Sequence, residues 1–77
     1  VREIIMSFIL EALRKKYEGD IAVARANVQV YINNAAGIGE HPDVVQAVDE
    51  QMELIADAQD KLNVLDQWDN GTQRFID

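Results

Sequence analysis

Asp49, Glu53, Asp57 and Asp60 recur at three- and four-residue spacing in the second half of this 77-residue chain, with Glu50 beside them. On a helix that spacing makes one row. A row of carboxylates can hold a divalent cation, imitate the phosphates of DNA, or present an acidic face to a basic partner. A plain solvated helix face is the commoner meaning of such a row, and three details favour it. The acids do not follow the calcium-loop pattern with its glycine turn. A di-iron bundle needs Glu-x-x-His pairs, and the single histidine, His41, stands outside the helical segments. Phosphate mimicry asks for denser charge.

His41 has a side chain able to titrate near neutral pH or to act as a general base. No nucleophile accompanies it: cysteine is absent, Ser7 is the one serine and Thr72 the one threonine. A structural loop histidine is therefore expected, with no catalytic residue, no metal ligand and no cofactor. Gly37-Ile38-Gly39 is a fragment of a nucleotide-binding loop, but it follows a helical pattern rather than a strand, and no Walker lysine follows it. Asn70-Gly71-Thr72 matches a glycosylation sequon, which has meaning only in a secreted chain.

Charge narrows the partners. Fourteen acidic residues against seven basic give a net charge of −7, so the cationic footprint of a nucleic-acid binder is missing. Residues 33–77 hold ten of the acids and only two of the bases, which puts nearly all the excess in the second half. The apolar run Ile4-Ile5-Met6-Ser7-Phe8-Ile9-Leu10 is cut by Ser7 and followed by Glu11 and Arg14, too short for a membrane span and without a cleavage site. A cytoplasmic protein is expected. The chain begins at Val1, and Met6-Ser7 would make an ordinary start with residues 1–5 upstream of it.

Two long helices must position whatever chemistry there is. Leu10, Leu13, Tyr17, Ile21, Ala24, Val28 and Tyr31 repeat at steps of three or four, as do Val44, Val48, Met52, Ile55, Ala58, Leu62 and Leu65. Both stripes average about 3.5 residues per step, the spacing of long, nearly aligned helix packing. Gly19-Asp20 could close one helix and cap the next, yet the first stripe crosses it without a change of phase, which predicts one helix. Pro42, with Asp43 and Gln46 as a capping box, signs the start of the second helix, and Asp69-Asn70-Gly71 reads as a turn after Trp68. Trp68 is expected to cap that end, with its indole N–H on water or a carbonyl. The reading is an all-α single domain: helix about 4–33, loop about 34–41 with Ile38 folded back as a plug, helix about 42–68, and a tail 69–77. The hairpin is antiparallel because the loop is short.

A hairpin alone leaves surface uncovered. The first helix carries further apolar residues, Ile5, Phe8, Ile9, Ala12, Val23, Ala26 and Val30, which widen its arc beyond a two-helix seam. Contiguous apolar surface of that kind marks an interface. Phe8, Ile9, Ala12, Val23, Ala26 and Val30 are the candidate oligomer interface, and the simplest closure is a two-fold dimer forming a four-helix bundle with the first helix inside. Partners are therefore self, with an unidentified protein partner for the acidic face as the alternative, and neither nucleic acid nor membrane.

Two resemblances accompany these readings. The run His41–Val48 resembles a stretch of pyridoxal-phosphate aminotransferases, but it spans about a tenth of the chain and is explained by shared helix-start chemistry. Tyr17-Glu18-Gly19-Asp20-Ile21-Ala22, Tyr31-Ile32-Asn33-Asn34, Gly37 to Asp43 and Ala56 to Leu62 together resemble small proteins of contractile-tailed marine cyanophages. That likeness covers about two thirds of the chain. It implies a viral origin and action in a bacterial cytoplasm, and it supplies no site.

Overall fold

The computed structural model describes residues 1–33 and 43–71, and every one of these except Val1 and Asp43 is helical. The loop with His41, the Gly37-Ile38-Gly39 run and the Ile38 plug lies outside the described residues, as do Pro42 and the tail from Thr72. Helix α1 runs Arg2–Asn33 and helix α2 runs Val44–Gly71, and they pack on each other as a hairpin. The hand of the pairing is antiparallel. Advancing along α1 from Arg14 to Asn27 moves the hydrogen-bonded partner on α2 back from Asp66 to Gln51.

Both predicted stripes form the seam. In α1, Leu10, Leu13, Tyr17, Ile21 and Tyr31 are half-buried, and Ala24 and Val28 are buried. In α2, Val44, Val48, Ile55 and Leu62 are half-buried, and Ala58 and Leu65 are buried. Met52 is the exception, at 48% exposed. The deepest residues are two alanines, Ala24 at 1% and Ala58 at 4% exposed, so the middle of the seam is filled by backbone and methyl groups rather than by large side chains. No large side chain among the described residues is fully buried. Small residues at facing positions let helices approach closely, and the gain is packing contact rather than a large apolar core.

Polar links border this narrow seam. Arg14 Nη1 donates to Asp66 Oδ1 at 2.7 Å, and Asn27 Nδ2 donates to Gln51 Oε1 at 3.1 Å. The Lys61 ammonium of α2 stands 5.5 Å from the centre of the Tyr17 ring, which Lys16 approaches to 5.7 Å from its own helix. These contacts are largely solvated, worth about 0–1 kcal/mol each, and they fix register more than they add stability.

Helix boundaries follow local chemistry. α1 passes through Gly19 unbroken, and its φ is not positive, because one interior glycine costs only about 1 kcal/mol against a stripe that continues on both sides. Asp43 holds the N-cap position of α2: its carbonyl accepts the Ala47 N–H at 3.0 Å. The capping box is not closed as expected. The Gln46 amide instead donates along the helix to Glu50 at 3.5 Å, the i,i+4 partner its side chain can reach without folding back. At the other end α2 runs through Asp69, Asn70 and Gly71 instead of turning after Trp68. Weak helix formers at a last turn cost little when the preceding turns already supply the hydrogen-bond ladder.

The consequence is a thin molecule. Its Cα extents are 54 × 25 × 13 Å, a slab one helix thick, and its radius of gyration is 17.1 Å. A compact domain of this length has a radius of about 11.5 Å. The chain exposes 6080 Å², whereas a folded monomer of this mass exposes about 4,700 Å².

The seam analysis predicts an asymmetry between alanines. Ala24→Leu should destabilise the hairpin by about 1–3 kcal/mol through overpacking. Ala56→Leu, on the exposed side of α2, should change stability by less than about 0.5 kcal/mol. Urea unfolding followed by circular dichroism reads both, and equal effects would contradict the close alanine contact.

Candidate functional site

Helical phase divides α1 into two apolar faces. The seam residues share one side, while Phe8, Ala12, Gly19, Val23, Ala26 and Val30 share another, about 150° around the helix at 3.6 residues per turn. Ile5 extends this second stripe at the N-terminal end, and Ile9 sits at its edge. Every residue of it is exposed, with Phe8 at 68% and Val23 at 63%. The sequence-predicted interface set is therefore together on one side of one helix, and α2 covers none of it.

Charged side chains flank and interrupt the stripe. Lys15 and Lys16 project from its middle, beside Gly19, where the apolar run breaks. A Cβ added at Gly19 would meet nothing within 4 Å, so the stripe has an open notch there. Lys16 Nζ donates to Asp20 Oδ2 at 2.9 Å, and this hydrogen bond, with the carboxylate's charge, holds the Lys16 ammonium above its ordinary pKa range. Among the described residues, Glu11, Lys15, Glu18 and Arg25 make no ion pair.

On α2 the side opposite the seam is acidic. Asp49, Glu50, Glu53, Asp57 and Asp60 are all exposed on helix α2. Among the described residues no group of three or more histidine, cysteine or carboxylate side chains converges closely enough to hold a metal ion. The row is strung along the helix, one turn apart, instead of gathered around a point. Its chemistry is that of an extended negative surface.

Residues outside the predicted sets also shape the surface. Leu54, Val45, Val64, Ile4 and Ile32 are exposed. Leu54 matters most, since it borders the same groove as Val23 and so carries apolar surface from α1 onto the edge of α2. The signal was present in sequence: Leu54 precedes the seam residue Ile55, which puts it about 100° off the seam. Trp68 lies along a groove with Leu10, Leu13, Tyr17, Val64 and Leu65 at the other end of the hairpin.

No family model, curated protein or solved structure matches the chain. The surface must speak for itself. Among the described residues no helix is long and apolar enough to cross a membrane.

The spacing of the acidic row generates a prediction of sign. Asp49, Glu53 and Asp57 are successive i,i+4 like-charge neighbours, each pair costing about 0.2–0.5 kcal/mol. Replacing them with Asn, Gln and Asn should raise stability by about 0.5–1 kcal/mol at low salt, and the gain should shrink as salt screens the repulsion. Thermal melts at two ionic strengths check this. A loss of stability would mean that the acids hold something together.

Proposed function

We propose that the chain is a homo-oligomeric helical interaction module whose working surface is the second apolar face of α1. Two hairpins close about a two-fold axis into a four-helix assembly, with α1 inside and the acidic α2 outside. The observation that carries this reading is the exposed stripe of Phe8, Ala12, Val23, Ala26 and Val30, on a slab whose buried residues, among those described, are only Ala24, Val28, Ala58 and Leu65. Small chains without disulfides use oligomerisation to complete a core, and this chain contains no cysteine. The role is assembly rather than catalysis. Its setting is the cytoplasm, that of a bacterial host if the phage likeness reflects descent.

A second reading is favoured by the acidic face. Five exposed carboxylates on the outer helix would suit an effector that occupies a basic surface of a host or viral nucleic-acid protein. The two readings are compatible, since one uses α1 and the other α2.

Sedimentation equilibrium tests the first. At about 10 µM protein the expected mass is twice the 8.7 kDa of one chain. Val23→Glu should weaken association by more than about tenfold, because it places an unpaired charge in a dry contact. A wild-type chain that stays monomeric throughout the micromolar range would remove the proposal. For the second reading, a basic protein captured from bacterial lysate should be lost when Asp49, Glu53 and Asp57 are neutralised; unchanged capture would count against it.

A further inference from the structure

The exposed stripe also encodes how two copies meet. We infer that α1 pairs with α1 of a second copy in antiparallel orientation, about a two-fold axis at the level of Tyr17 and Glu18. This rests on the self-association proposed above and adds its direction and register.

The argument starts from the symmetry of the stripe. Its apolar ends, Phe8 with Ala12 and Ala26 with Val30, lie on either side of a polar middle made by Lys15, Lys16 and Gly19. Rotating the helix end for end about that middle superposes apolar on apolar. Phe8 then faces the partner's Ala26, and Ala12 faces the partner's Val23, a large residue against a small one at each end. Such alternation fills space without overpacking.

Charge decides between the two possible directions. In the antiparallel pair, flanking residues on the same side of each helix meet. That brings Glu11 to the partner's Arg25, and Lys15 to the partner's Glu18, at both ends of the two-fold. Among the described residues none of these four makes an ion pair within one copy, a property they share in α1 with Arg2 and Glu3. A parallel pair would instead set Lys15 and Lys16 against their own counterparts in the middle of the contact, a like-charge clash in a partly desolvated place.

Gly19 explains how Lys15 fits at the crossing. The notch has open space where a side chain would be. The aliphatic stem of Lys15 can lie across the partner's Gly19 while its ammonium reaches outward to the rim, and Lys16 stays with Asp20 of its own helix. A larger residue at position 19 would hold the helices apart near the axis. The glycine, a helix-propensity cost within one copy, is accounted for by the second.

Cysteine scanning of this cysteine-free chain tests direction and register together. Ala12→Cys and Val23→Cys are prepared singly and mixed in equal amounts, then oxidised mildly, and the products are weighed by mass spectrometry with sedimentation run in parallel. The antiparallel register predicts a disulfide-linked dimer carrying one chain of each variant, and little linked product from either variant alone. Self-linked dimers of each single variant, with no excess of the mixed species, would show a parallel pair and overturn the inference. A dimer by sedimentation with no linked product in any arm would overturn it too, while leaving self-association standing. A monomer in sedimentation would sink the underlying proposal itself. As a second readout, Glu11→Arg should weaken the dimer about three- to tenfold through two reversed rim contacts, and the double variant Glu11→Arg, Arg25→Glu should restore it; no rescue would contradict the pairing.

Discussion

A pair of helices can bury one stripe of each, and α1 has two. Everything distinctive about this chain follows from that mismatch. The seam with α2 uses Leu10 through Tyr31 and is narrow, built around Ala24 and Ala58 rather than large side chains. What remains on α1 is a second line of apolar residues facing water, on a protein whose thickness is that of one helix. Hydrophobic burial of about 25 cal/mol per Å² is the main driving force for such chains, and here much of the available surface is unspent in a single copy.

The two helices divide the work. α2 carries one apolar stripe and an acidic back, which suits the outer helix of the proposed assembly. α1 carries nearly balanced charge and two apolar stripes, which suits an inner one. Under the proposed association, the uneven distribution of acids between the two halves of the sequence corresponds to an inner and an outer helix. In that arrangement the acidic face would stay exposed.

Much of the architecture was readable from residue spacing. Both seam stripes could be written down from steps of three and four, and the continuity of α1 through Gly19 followed from unbroken phase. The candidate interface residues were legible as apolar positions left over once the seam was assigned. What could not be read was local and depended on competition between close alternatives. Gln46 had two partners within reach and took Glu50 rather than the helix start, and the last turn of α2 continued through Asp69, Asn70 and Gly71 despite their turn-forming character. Met52 fits the stripe by number but sits half in water, because two successive four-residue steps from Val44 carry it about 80° around the helix from the contact line. The position of Leu54 beside the seam could be read from its place before Ile55, but its groove with Val23 appears only once the two helices are packed.

The central claim is that folding and association of this chain are one event. The most direct measurement is the urea unfolding midpoint at two protein concentrations a hundredfold apart. If the second face of α1 is covered by another copy, stability per dimer should rise by about 1.4 kcal/mol for each tenfold in concentration, and the midpoint should move upward with it. A cooperative transition with the same midpoint at both concentrations would show that one hairpin is stable alone, with its second stripe in water, and would contradict the account.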